Sequence, residues 1–229
     1  MTNRALAAIV RTRLRSERRT IIYACAAAVI VGFIQPHGIA AITDPLDADL
    51  ATRSVWLAGP MFFCSSIGII VALLQGPGRH PHLDLCEQSA PLFGRELARA
   101  KALVPCIVST LAAGAYWLAQ WVSGFGAPPA FFILALASVL ASSLVALNAT
   151  IRHGAARTLY IGLACATTVI AYLLAVYADA FNVHFARGFS HYNDATGVVT
   201  ELAFCAITGF IALRQYGESL ARHDPQIIS

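Results

Sequence analysis

Side chains able to do acid–base or metal chemistry are few in this sequence and lie far apart. His80 and His82 are two residues apart in a loop rich in Pro and Gly, and His184 and His191 flank Arg187. Neither pair has a third ligand close by, so a solvated loop is the simpler interpretation of both. The sequence also lacks a GxxxxGK[ST] phosphate loop, an HExxH motif and a GxSxG motif. We therefore predict that the chain is not an enzyme by itself and holds no metal or cofactor.

A few polar residues instead interrupt long apolar stretches, where an ionisable group is costly and usually faces protein or water. Gln35, Pro36 and His37 lie together near one end of the first stretch, and Pro36 is expected to kink a helix there. Glu201 lies about one helical turn into the last stretch. Gln35, His37 and Glu201 are candidates for lining a substrate path, whereas hydration at an outer interface is the alternative for Glu201. Aromatic candidates for the same path, with packing or lipid contact as their alternative, are Phe62, Phe63, Tyr172 and Tyr177.

The overall composition is that of a membrane protein. Hydrophobic residues make up 58% of the 229-residue chain and charged residues only 12%, with a mean hydropathy of +0.66. A soluble domain carries about 25% charged residues, because its surface needs polar cover. Lipid removes that need. The six cysteines lie mostly inside apolar runs without CxxC spacing, so we interpret them as small buried hydrophobic residues rather than as metal ligands or disulfides.

Six stretches are long and apolar enough to cross a bilayer core, which takes about 20 helical residues. We predict an all-α membrane protein with an amphipathic interfacial helix over residues 1–20 and a six-helix transmembrane domain over residues 21–213. A cytoplasmic tail follows over residues 214–229. The six predicted spans are Ile21–Ile42, Val55–Gln75, Ala102–Val122, Ala130–Thr150, Leu159–Ala180 and Gly197–Leu213.

The basic residues predict the orientation of these spans. If the N-terminus is cytoplasmic, fourteen of the sixteen lysine and arginine residues fall on the inner side, and only Arg53 and Arg187 fall outside. The positive-inside rule favours this arrangement, and an even number of spans then places both termini in the cytoplasm. This topological role accounts for the net charge of +4 without a nucleic-acid partner. We expect the protein to lie in the plasma membrane of a bacterium, its inner membrane, and to contact the lipids there.

The first residues have the pattern of a helix that lies in the membrane interface. Leu6, Ile9, Val10 and Leu14 recur at helical spacing, and most arginines of this segment fall on the other side. We predict a helix at the cytoplasmic interface with its arginines toward lipid phosphates. A disordered basic leader that only sets the topology is the alternative.

The segment between the second and third spans, residues 83–101, has a different pattern. It begins as a short amphipathic helix that carries Leu85 and Glu87 and stops at Pro91. A second helix restarts near Gly94 and leads into the third span with basic residues at the membrane surface. A short amphipathic helix in a cytoplasmic loop needs a surface to pack on. The segment therefore predicts a docking element for a cytoplasmic partner.

This segment resembles the coupling segment of the permease subunits of type-2 ABC exporters. The resemblance extends to the whole plan, with an amphipathic N-terminal helix, six spans, both ends inside and no nucleotide-binding domain on the chain. The Pro- and His-rich loop before the segment and the short outer loop before the last span depart from the family pattern. The matched positions are Glu87, Ser89, Pro91, Arg95 and Lys101.

The resemblance implies the membrane subunit of an ATP-driven exporter. Two such halves, identical or different, would form the substrate path along their first, second and fifth spans. Two separate ATPase subunits would hold ATP and magnesium, and their closure would push the coupling segment and rock the two halves. The coupling residues under this hypothesis are Leu85, Glu87, Ser89, Pro91 and Arg95.

Two other classes of function remain open on the sequence. A membrane subunit that transports nothing and instead scaffolds or assembles a larger complex would share the same spans. A membrane enzyme would need Glu201, His37, His184 and Asp179 to converge in one plane of the bilayer.

Overall fold

The computed structural model describes residues 2–40, 48–76, 94–124, 129–185 and 195–222. Over these ranges the chain forms seven α-helices and one short 3₁₀ helix, without a β-strand. The prediction of an all-helical fold is therefore confirmed. The helices are α1 (Thr2–Ser16), α2 (Arg18–Ala40), α3 (Ala48–Leu74), α4 (Gly94–Val122), α5 (Pro129–Leu147), the 3₁₀ helix Asn148–Ile151, α6 (Ala155–Phe185) and α7 (Ala195–Arg222).

Five of these helices have the length and composition needed to cross a membrane, and they are α2, α4, α5, α6 and α7. The predicted second span, Val55–Gln75, coincides with α3, whose apolar segment among the described residues is Ala58–Leu74 and is shorter than the other five. Multiple membrane-spanning helices agree with the sequence prediction. The count of six spans and the cytoplasmic location of the termini stay predictions.

The distribution of polarity supports a lipid environment, because the bundle is apolar on its outside. Large hydrophobic side chains are exposed on all five of these helices, for example Ile30, Trp121, Ile133, Leu163 and Phe210. Polar side chains are buried inside, among them Gln120, Ser143, Thr168 and Glu201. A water-soluble bundle rarely exposes so large an apolar surface, whereas lipid accommodates it.

Helix α5 lies at the centre of the bundle and contacts α3, α4, α6 and α7. Its small residues explain this position, because they let neighbouring backbones approach closely. Ser143 donates to the carbonyl of Val139 at 2.6 Å, and its Oγ lies 3.3 Å from that of Ser109 on α4. Gly68 of α3 packs against the same two serines. Small side chains thus allow α3, α4 and α5 to pack closely at this point.

The α-helix of α5 ends at Leu147, three residues before the predicted end of the fourth span. The 3₁₀ helix that follows contains buried Asn148, whose Nδ2 donates to the carbonyl of Ala212 on α7 at 3.0 Å. This side-chain bond links two helices inside the bundle, as polar residues within membranes commonly do.

The first described residues and the end of α7 lie at the same end of the bundle. Arg13 of α1 is 1% exposed and donates to Oε1 of Gln75, just after α3, at 3.0 Å. The neighbouring Gly76 faces Thr150, and Arg152 donates to the hydroxyl of Ser219 on α7 at 3.1 Å. A chain of contacts thus joins α1, α3, the 3₁₀ helix and α7.

The close approach of α2 and α4 gives a first testable prediction. A Cβ atom at Gly32 would lie 2.7 Å from the backbone oxygen of Tyr116 and 3.0 Å from Cβ of Ala119, so the helices would have to separate. We expect Gly32→Ala to lower the stability by about 1–3 kcal/mol, the usual cost of overpacking. Thermal unfolding of the purified protein in detergent micelles measures this effect.

Gly114, in the middle of α4, is the matched control. A Cβ atom added there would point into open space, with no side chain or neighbouring helix of the described residues within 4 Å. Because alanine has the higher helix propensity, Gly114→Ala is expected to leave the stability unchanged or to raise it by up to about 1 kcal/mol. Equal changes in stability for Gly32→Ala and Gly114→Ala would show that α2 and α4 are not closely packed at Gly32.

Candidate functional site

The first cluster of predicted pathway residues lies between α2, α3 and α4. Gln35 of α2 accepts a hydrogen bond from the hydroxyl of Tyr116, a residue of α4 that is wholly buried. Gly59 of α3 leaves the space that this pair occupies, since a Cβ atom there would collide with both side chains. The ring of Phe63 lies 6.2 Å from that of Tyr116. We call Gln35, Gly59, Phe63 and Tyr116 the tyrosine cluster.

The second cluster lies on the other side of α3, toward α6 and α7. Phe62 packs its ring 5.2 Å from that of Tyr172 on α6. Tyr172 in turn packs on a buried group that includes Met61 of α3 and Cys205 of α7. Phe62 and Phe63 thus point to different sides of α3, so neighbouring residues of one helix contribute to two separate clusters.

Glu201 of α7 is the buried acidic group of this second cluster. It is 0% exposed, and its Oε1 accepts a hydrogen bond from the thiol of Cys205 at 3.2 Å. Its Oε2 is buried without a hydrogen-bond partner among the described residues. A hydrated carboxylate at the outer interface does not fit this burial. We call Glu201, Cys205, Phe62 and Tyr172 the glutamate cluster.

The described part of the glutamate cluster combines one buried carboxyl group with apolar and aromatic side chains. A buried carboxyl group with an unused acceptor oxygen in an apolar surrounding is able to accept a hydrogen bond from a polar or cationic group. Among the residues that the structure describes, no three His, Cys, Asp or Glu side chains converge as metal ligands do. The side chains of His37, Tyr177, Asp179, His184 and His191 lie outside the described part, so the convergence that a membrane enzyme needs stays untested.

Most of the predicted coupling segment also lies outside the described residues. Leu85, Glu87, Ser89 and Pro91 lie outside the described residues. The backbone of Arg95 belongs to α4, but its side chain is not among those described. The described part of the segment begins with α4, at Gly94. Its first turns include Arg99, which is exposed, and Lys101, which is buried.

A groove of about 380 Å³ lies between these first turns of α4 and the end of α7. Ala98 and Arg99 form one side, and Leu213, Gly217 and Glu218 are on the other. Arg214 on the same wall pairs with Glu218 at 2.8 Å. The groove therefore presents mixed charge around an apolar centre, next to the point where the predicted coupling segment joins α4.

Several residues of these sites are not apparent from the sequence. Tyr116 sits in an apolar run with the spacing of an ordinary core residue, and its partner is 81 residues away. Cys205 has the pattern of a small hydrophobic residue, yet it is a donor to Glu201; its position four residues later, on the same helical face, is the available signal. Cys64 and Cys205 are buried as expected, whereas Cys165 is exposed.

Comparison of the chain with protein-family models, with curated proteins and with solved structures found no match.

Proposed function

We propose that this chain is the membrane subunit of an ATP-driven exporter of the ABC type, acting as one of two permease halves with two separate ATPase subunits. The observation that carries the proposal is the sequence pattern Glu87-x-Ser89-x-Pro91, which is followed by the basic first turns of α4. In an ATP-driven exporter, a permease subunit without a phosphate loop in its sequence would receive its energy through such a contact.

The geometry of α4 supports this role. The helix runs over 29 residues, which is about 44 Å of continuous helix. It contacts α1, α2, α3, α5 and α7, so a displacement of its first turn would reach most of the bundle. Pro105 lies inside α4 and cannot donate to the carbonyl four residues earlier, which gives the helix a point where bending costs little.

The two clusters on α3 support a path through the same bundle. The tyrosine cluster and the glutamate cluster lie on the two sides of α3, and helices α2, α3 and α6 are the ones predicted to line the path. A shift of α3 relative to α4 or α6 would change both clusters together. A change at both clusters when one helix moves would fit a transporter that alternates between two conformations.

Co-purification tests the proposal. The full chain, extracted from its native membranes in a mild detergent, is expected to carry a soluble subunit with a GxxxxGK[ST] motif and ATPase activity. Mass spectrometry of the complex and an ATP hydrolysis assay identify that subunit. A stable complex that contains other membrane proteins and no ATPase would overturn the proposal and favour the scaffold function.

A further inference from the structure

An open groove of about 680 Å³ lies between α1, the first turns of α2 and the start of α4. Its walls are mostly apolar. Ile22 is 54% exposed and Leu103 41% exposed, so large apolar side chains face the groove without protein cover. The apolar lining that the argument uses consists of Leu6, Val10, Leu14, Ile21, Ile22 and Leu103.

Three arginines border this apolar surface. Arg11 and Arg15 lie one turn apart on α1, Arg18 is the first residue of α2, and all three line the groove and are exposed. Among the described residues that line the groove, none is acidic. The groove therefore combines a row of positive charge with an apolar wall.

Not every arginine of α1 faces the groove. Arg13 points to the interior, where it is buried and donates to Gln75. Leu14 and Ile21 line the groove and also pack against the buried group that includes Val71. Helix α1 is thus fixed by one face, and the groove arginines belong to a different face.

The position of the groove in the bundle limits what can occupy it. Arg18 opens the apolar segment Arg18–Gln35 of α2, and Leu103 belongs to the apolar segment Glu96–Val122 of α4. Both segments have the character of membrane spans, so the groove lies where a span meets the membrane surface. Lipid headgroups occupy that level.

We propose that this groove binds one anionic phospholipid, with its phosphate held by Arg11, Arg15 and Arg18 and an acyl chain along Val10, Ile22 and Leu103. Guanidinium groups bind phosphate oxygens in a bidentate geometry, and the apolar wall removes part of the acyl chain from water or from looser lipid packing. A soluble anion would leave the apolar wall uncovered, and a zwitterionic lipid would bring the positive group of its headgroup toward the three arginines. The site is independent of the exporter proposal.

Native mass spectrometry of the full chain in detergent tests the site, with dioleoyl phosphatidylglycerol and dioleoyl phosphatidylcholine as probes. The wild-type protein is expected to retain one phosphatidylglycerol and to prefer it to phosphatidylcholine by roughly tenfold or more. The double variant R15Q/R18Q is expected to lose that preference. The matched control R4Q/R19Q removes the same two charges from exposed arginines that do not line the groove, and it is expected to bind as the wild type does.

A third variant tests the apolar wall. Val10→Gln keeps every charge and is expected to weaken phosphatidylglycerol binding by several-fold. The affinity for soluble glycerol phosphate, which does not contact the wall, is expected to stay unchanged. Thermal unfolding without added lipid checks that all variants fold equally. Equal losses in R15Q/R18Q and R4Q/R19Q would reduce the effect to diffuse attraction, and displacement of the lipid by glycerol phosphate alone would reduce it to a headgroup site. Either result overturns the proposal.

Discussion

Reversal of the charge at Glu87 is expected to uncouple the chain from its ATPase while leaving it in the membrane. Under the exporter proposal, residues 85–91 seat in a groove of the ATPase, and Glu87 is the acidic group of that contact. Like charges placed together at an interface cost several kcal/mol, so Glu87→Lys is expected to weaken the complex by about 100-fold or more. Hydrolysis of ATP by the purified complex should then fall to the rate of the free ATPase.

The control variant changes a residue that the predicted topology places on the opposite side of the membrane. Asp44→Lys makes the same charge reversal in a loop that the sequence places on the outer side, and it is expected to change neither assembly nor ATP hydrolysis. Alanine at all residues from Leu85 to Ser89 should reproduce the loss seen with Glu87→Lys. Normal ATP hydrolysis and normal co-purification in both coupling variants would show that the energy enters elsewhere.

The transmembrane helices were predictable because lipid leaves a chain few choices. A long apolar stretch has to satisfy its backbone hydrogen bonds internally, so each such stretch is helical. The ends of the helices were less predictable. The last predicted span stops at Leu213, whereas α7 continues to Arg222. Tyr216 is buried there against the core, and packing of this kind, unlike hydropathy, does not end at the membrane surface.

Some residues of the candidate site were predictable from the sequence, whereas the partners that they contact were not. Gln35 and Glu201 stand out in a sequence because polar residues are costly in apolar stretches. Their partners do not, since Tyr116 and Cys205 have the types and spacing of ordinary packing residues. The burial of Arg13 was equally unpredictable, because the amide of Gln75 that it contacts lies 62 residues away. Such contacts follow from how the helices pack, and hydrophobic periodicity does not contain that information.

Replacement of Glu201 by leucine is expected to raise the stability of the protein and to abolish export. Oε2 of Glu201 is buried without a partner among the described residues, and an unsatisfied buried polar atom costs about 1–3 kcal/mol. Leucine has a similar volume and no polar atom, so Glu201→Leu should stabilise the fold by about that amount. A carboxyl group kept at such a cost is characteristic of a functional position.

A double-mutant cycle with Cys205 separates the carboxyl group's own effect from that of its single identified bond. Cys205→Ala removes the donor to Oε1 and is expected to destabilise the protein by about 1–3 kcal/mol, because both carboxyl oxygens then lack a partner. In the Glu201→Leu background the same change should cost only the lost packing of the thiol. Thermal unfolding in micelles measures the three variants, and vesicle export driven by the co-purified ATPase measures function. If Glu201→Leu destabilises the protein and Glu201→Gln restores both stability and export, the side chain serves as a structural hydrogen-bonding group and its charge has no part in the path.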